Sequence, residues 1–404
     1  MDKSLDIKLA DIHANPGSNA FILADAKDAD MAFGIAAPGR SPERTGEGFR
    51  SLDEYREHIA ENVRQGLLDI MLMSVSTSEV LTIRQRIFDS SSVTPAVRAN
   101  DTTDIHVARG ASYPKEPSLP FRTALIDHAQ LGRIADDGDS QRHLGANLGL
   151  YSITFNNDPE LDSRTLEAYR EFRIEAEQKG FRHFLEIFDP NSPTRPIPPQ
   201  QVGGFINDLV VRALAGVASA GRPLFLKMVY HGPKFMEEIV RYDRHLVPGI
   251  LGGSAGTTYD AFKLLGEAKK CGARAALFGR KINSSEHQLS FIQFLRWIAD
   301  GQISPEEAVK AYHGVLQGLK IKPARPLAQD MQLTSGITGY GGSSTTISVP
   351  SRRAGAGTET AAPVQPAPRD ESYPARPDGS PDFARMTPAQ RLAYHRKRLD
   401  KSIG

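Results

Sequence analysis

The sequence predicts an α/β domain of the (β/α)8 (TIM) barrel type, followed by a disordered C-terminal extension ending in a short amphipathic helix. Three observations predict it. Short apolar runs recur through the first three quarters of the chain, helix-length segments separate them, and one run after another ends in glycine or polar residues. Buried runs of about 4–8 residues alternating with helices indicate a parallel sheet with helices packed around it. In such a sheet the polar endings gather where the strands' C-terminal ends point, which is where ligands bind. With 404 residues, 40% of them hydrophobic, the chain can bury the core of a barrel, which takes about 250 residues.

The elements follow in order. Residues 21–24 read as the first strand, ending in Asp25 and the acidic loop Asp28–Ala29–Asp30. A helix is expected over 51–65, with Ser51 as its N-cap. Residues 70–73 and 93–99 are the next two strands. From 101 to 142 no period is visible and Pro114, Pro117 and Pro120 interrupt the chain; excursions of this length are commonly lids or interface arms. Residues 146–154 form the fourth strand, and a helix is expected over 162–179. The fifth strand, 184–188, carries Glu186 and ends in Asp189–Pro190; an amphipathic helix over 200–218 follows. Residues 224–226 run into Lys227, 247–251 into Gly252–Gly253–Ser254, and 275–278 into Gly279–Arg280. Helices over 233–242, 257–271, 286–299 and 305–316 complete the shell. The barrel is expected to span 15–320.

Composition narrows the function. A net charge of +1 offers no broad electrostatic case for nucleic acid or a membrane surface. Cys271 is the only cysteine, which excludes a disulfide framework and a cysteine-based zinc site. Nothing calls for a metal or a cofactor. The N-terminus is too polar for a signal peptide and no apolar run approaches about 18 residues, so a soluble, cytoplasmic protein is expected. Residues 334–385 are Gly, Ser, Pro, Ala and Arg with hardly an aliphatic side chain, and read as a disordered linker. In 386–404, Thr387 is an N-cap candidate with Pro388 at N1, and Ala389, Leu392, Ala393, Leu399 and Ile403 share one helical stripe.

Three strand endings carry chemistry. Lys227 follows Phe225–Leu226 and should lie inside the mouth of the barrel. A free lysine amine titrates near ~10.4, and burial lowers that by up to several units, leaving a neutral nucleophile for a carbonyl. Gly252, Gly253 and Ser254 offer backbone N–H groups and a hydroxyl to an anion, beside the N-terminus of the helix beginning near Thr257. Gly279 allows close backbone approach, and Arg280 brings a guanidinium fork suited to phosphate. The loops after the seventh and eighth barrel strands are the usual phosphate site. An amine with a phosphate grip on the next two strands suggests a Schiff-base aldolase.

The order Lys-x-x-Tyr-x-Gly from Lys227, then the Gly-Gly turn, then Gly-Arg-x-Ile from Gly279 resembles the archaeal-type class I fructose-bisphosphate aldolases, within the deoxyribose-phosphate aldolase superfamily. The resemblance implies that Lys227 forms an imine with a phosphorylated sugar or keto compound. It implies phosphate contacts at Gly252, Gly253, Gly279 and Arg280, and a family role for Tyr230. It also implies an aspartate beside the reactive centre, which Asp25 matches best, with Asp28 as competitor. Where the family carries a proton-handling tyrosine at the end of the fifth strand, this chain reads Ile187–Phe188–Asp189–Pro190. The seventh strand holds no second lysine either, so Glu186 and Asp189 become the proton-transfer candidates. The tail resembles the encapsulation peptides of bacterial microcompartment cargo enzymes, which implies a shell or other partner for Met386–Gly404 and a place inside such a compartment. A homo-oligomer is expected. Two other readings compete: a non-catalytic phospho-ligand scaffold recruited through its tail, and a phosphosugar isomerase or synthase working through carboxylates without an imine.

Overall fold

Eight parallel strands close into a barrel: β1 (Ile22–Lys27), β2 (Ile70–Met73), β3 (Thr94–Arg98), β4 (Leu148–Thr154), β5 (Arg182–Phe188), β6 (Leu226–Met228), β7 (Pro248–Leu251) and β8 (Ala275–Phe278). Each pairs with the next, and β8 returns to β1. The computed structural model describes residues 1–41, 48–136, 144–253 and 256–334, with residues 374, 385, 387 and 390 beyond them. The chain divides into two units, 1–348 and 349–404. In the second, Thr387 Oγ1 accepts from the Gln390 backbone N–H at 3.3 Å, the N-cap contact expected of Thr387. The apolar stripe from Ala389 to Ile403, and the linker before it apart from Thr334, Pro374 and Arg385, lie outside the described residues.

The strands form where apolar runs were found because both of their faces are covered. Side chains alternate between the barrel interior, with Ile22, Ala24, Leu72, Leu150, Phe184 and Phe225 among its buried residues, and the strand–helix layer, with Leu23, Met71, Ile153 and Ile187. Several helices begin at identifiable caps. Ser51 and Glu54 form a capping box on Leu52–Gln65, Thr257 and Asp260 on Thr258–Lys270, and Ser304 and Glu307 on Pro305–Gly318. Asp158 caps Pro159–Gln178 through the N–H groups of Glu160 and Leu161. Among the described residues, no helix is long and apolar enough to cross a membrane.

The N-terminal helix was not foreseen. Ser4–Ala14 precedes the expected start at residue 15 and buries Leu5, Leu9 and Ile12 against the barrel's interior cluster. Lys3 Nζ donates to the carbonyls of Phe88, Ser91 and Val93, and Lys8 Nζ lies 2.7 Å from Asp69. Those partners all precede β2 or β3, so the helix closes the barrel at the N-terminal ends of its strands. Access is left to the opposite end. There, the excursion after β3 is fastened down: Asp104 accepts from Ser118 Oγ (2.8 Å) and Thr154 Oγ1 (2.9 Å), and Asn191 Nδ2 donates to the Glu116 carbonyl (2.7 Å).

Candidate active site

Strand register brings the central pair together. β5 and β6 run side by side with Glu186 opposite Lys227, and both side chains point into the barrel near its C-terminal end. Lys227 Nζ lies 2.5 Å from Glu186 Oε1, with the two side chains only 7% and 2% exposed. Glu186 Oε2 accepts from Ser152 Oγ (2.6 Å) and from Arg98 Nη2 (3.2 Å). Arg98 also donates through Nη1 to Ser152 Oγ (2.8 Å) and through Nε to Asp28 Oδ2 (2.6 Å). The Asn100 side chain fixes Ser152 from behind by accepting from its N–H (2.6 Å) and donating to its carbonyl (2.8 Å). Burial would push the Glu186 carboxyl up, but Lys227 and then Arg98 outweigh it and hold the group below the usual carboxylate range. The carboxylate is therefore kept ionised, and each buried charge has a partner, without which its desolvation would be prohibitive.

A cavity opens over this network, bordered at the ends of β7 and β8 by Gly252, Gly253, Gly279 and Arg280. Two of these glycines are required by close approach. A Cβ on Gly252 would sit 2.2 Å from the Phe278 ring, and one on Gly279 would sit 2.3 Å from the Ala26 carbonyl oxygen. Gly253 has φ +61°, in the left-handed region. Arg280 makes no side-chain hydrogen bond or ion pair among the described residues, which leaves its guanidinium open to a ligand. Ser254 lies outside the described residues. Asp28, Phe33, Ile105, Phe188 and Leu251 supply much of the remaining wall. No metal-holding group of His, Cys, Asp and Glu occurs among the described residues.

Three expected site residues are not brought to this cavity. β1 runs on to Lys27, and its alternation sends Ala24 and Ala26 inward and Asp25 outward. Asp25 is fully buried behind the barrel wall, where Oδ2 accepts from Asn62 Nδ2 (2.8 Å) and lies 3.6 Å from Lys27 Nζ. Burial raises its carboxyl to about 6, against the pull of Lys27 and Asn62, and burial likewise lowers the Lys27 amine. Lys27 Nζ also donates to Gln288 Oε1 (2.8 Å) and Asn283 Oδ1 (3.2 Å). The competitor Asp28 is the aspartate that lines the cavity. The same alternation turns Tyr230 outward, three residues after the inward Lys227. Its hydroxyl donates to Glu267 Oε1 (2.9 Å), and burial, then Cys271 and Glu267, push its pKa well up. Asp189 sits at the rim, with Oδ1 2.8 Å from His231 Nε2. Sequence reasoning missed Arg98 and Ser152. An arginine inside the apolar run 93–99 was the available signal, since such a charge is buried only when paired.

No protein-family model matches the sequence, and no curated protein matches it either. Solved structures do. An archaeal fructose 1,6-bisphosphate aldolase superposes with a TM-score of 0.51 at 14% identity, over 74% of this chain and 99% of that one. A Schiff base-forming fructose-1,6-bisphosphate aldolase gives 0.52 at 16%, over 73% and 99%. The fructose-bisphosphate aldolase from Slackia heliotrinireducens gives 0.52 at 15%, over 77% and 91%. The likeness is one of fold. This chain has the barrel that these class I aldolases use, and the roles of its residues rest on its own geometry.

Proposed function

We propose that this protein is a lyase of the class I aldolase type, in which Lys227 forms an imine with the carbonyl of a phosphorylated sugar or keto compound. The observation that carries the reading is the buried Lys227 amine, 2.5 Å from Glu186, facing a cavity whose far edge is Gly252, Gly253, Gly279 and Arg280. Attack needs a lone pair on Nζ, and Glu186 is in place to take the proton. Addition to the ketone carbon gives a carbinolamine, and loss of water gives the iminium. That cation accepts the electron pair when the bond between the α and β carbons breaks, as a base removes the proton of the β-hydroxyl that becomes the aldehyde. Protonation of the resulting enamine and hydrolysis return the amine. Glu186 and Asp28 are the carboxylates bordering the cavity, and Arg98 orients both. The Gly252 N–H is already given to the Leu277 carbonyl (2.7 Å), so the Gly253 N–H, with the Arg280 fork, would hold the phosphate.

Borohydride reduction in the presence of a ketose phosphate, read by intact mass, tests this. A reduced adduct that maps to Lys227 is expected, and its absence in Lys227→Met. Turnover without any trapped adduct would favour the carboxylate-only isomerase; neither turnover nor adduct would favour the scaffold. We also propose that Met386–Gly404 docks as a helix on a shell or other partner protein through Leu392 and Leu399. A fluorescent protein carrying this segment should co-localise with that partner, and Leu392→Glu with Leu399→Glu should disperse it. Diffuse signal from the unmutated fusion beside an intact partner would reject docking.

A further inference from the structure

The cavity's charges are unevenly placed. Among its described lining residues are three cations, Arg98, Lys227 and Arg280, and two carboxylates, Asp28 and Glu186, a formal net charge of +1. A phosphate monoester brings about −1.5 to −2 near neutral pH, so one such group roughly matches the site and two exceed it. The cations also differ in availability. Lys227 is committed to Glu186, and Arg98 spends Nε on Asp28, Nη1 on Ser152 and Nη2 on Glu186. Among the described lining residues, only Arg280 is a cation without a partner. It follows β8, and β8 stands across the barrel from β4. On that opposite side a ligand meets the Glu186 carboxylate, and apolar Ile105 and Phe188, which pack with Leu251. A second phosphate there would have to displace a carboxylate from Arg98 or be desolvated against hydrocarbon; either is unfavourable.

We infer that the site takes a monophosphorylated substrate whose end remote from the phosphate is uncharged, and that it selects against a second phosphate. This rests on the reading of the cavity as a phosphate-ester site, and it departs from the bisphosphate in the names of the structural neighbours. The charge question can be separated from the imine with probes that have no carbonyl. n-Butyl phosphate and butane-1,4-diyl bisphosphate share one carbon chain and differ by one phosphate. Titrated calorimetrically into the full-length protein, butyl phosphate should bind at least about tenfold more tightly, a difference of about 1.4 kcal/mol. Arg280→Ala should weaken butyl phosphate about tenfold, and Asp28→Asn, which removes one opposing charge, should narrow the gap between the probes at least about threefold. Equal or tighter binding of the bisphosphate to the unmutated protein, or no binding of butyl phosphate, overturns the inference whatever the variants do. Borohydride trapping on the same preparation reports the Schiff-base reading separately. An adduct together with bisphosphate preference removes only the charge inference, whereas no adduct together with monophosphate preference removes only the imine.

Discussion

Among the described residues two lysine–carboxylate pairs are buried in this barrel, and they sit on opposite sides of the same wall. Lys227 and Glu186 face inward, 2.5 Å apart, and line a cavity; Lys27 and Asp25 face outward, 3.6 Å apart, and are sealed beneath the helices that carry Asn62 and Gln288. Burial and charge are nearly the same in both. What differs is access and redundancy. Glu186 keeps Ser152 and Arg98 if its lysine is lost, whereas Asp25 keeps only Asn62, and its Oδ1 already has no hydrogen-bond partner. A buried ion pair is thus a poor marker of a site until one knows what else touches it. On the proposed mechanism the inward pair changes charge in each cycle, and Ser152 and Arg98 buffer Glu186 against that change. The outward pair holds β1 to its helices.

The largest contrast should come from removing the two amines in turn. Lys227→Met is expected to lower activity by about three orders of magnitude or more with a modest change in stability. Lys27→Met should do the reverse: retained borohydride trapping at Lys227, and a stability loss of about 3–5 kcal/mol in a urea titration, because one partner of a buried pair is removed. Activity in Lys227→Met within about tenfold of the unmutated protein would erase the distinction. Next comes Glu186→Gln, expected to slow turnover by about 10²–10⁴-fold as the proton acceptor is lost; an unchanged rate with a normal trapped adduct would move that role to Asp28.

A smaller effect separates the pairs by pH. The Asp25 carboxyl is raised by burial from 3.8 to about 6. Between those values the folded protein holds a proton that the unfolded chain has released, so stability falls as pH rises through the window, on the order of 3 kcal/mol for this group. Asp25→Asn should remove that slope from the pH dependence of denaturation midpoints, and a slope unaltered by the substitution would contradict the assignment. Smallest of all is Tyr230→Phe. With the hydroxyl turned toward Glu267, kcat/KM should stay within about twofold while stability drops by about 1 kcal/mol. A tenfold fall in kcat/KM would return Tyr230 to the chemistry.

The strands and helices were legible because apolar runs and caps are local properties. Ser51, Thr257 and Pro305 announce their helices within four residues, and Gly252 and Gly279 follow their strands where the pattern placed them, while Lys227 lies within its strand, Leu226–Met228, rather than at its end. The face on which a side chain emerges was readable too, by counting in twos from Lys227 or Ala24, and that count separates Asp28 from Asp25 and excludes Tyr230. What could not be read is register between strands. The pairing of Glu186 with Lys227, and the reach of Arg98 from β3 to Asp28, Ser152 and Glu186, join residues 41 to 88 positions apart and depend on the closed barrel. The helix Ser4–Ala14 escaped for a related reason: its three buried residues make a stripe only against the barrel interior.

That helix has a consequence for the order in which the molecule comes into being. It precedes every strand in the chain, yet its docking surface is assembled from the bases of strands made much later, through Asp69, Phe88 and Ser92 to Phe184, Phe225 and Val247. At about 5–20 residues per second, the ribosome needs roughly 10–50 s to travel from the helix to the last of these positions. Through that interval Leu5, Leu9 and Ile12 have nowhere to go. Made before any strand of the barrel, this helix must therefore settle after them, as a stopper pushed into a finished vessel.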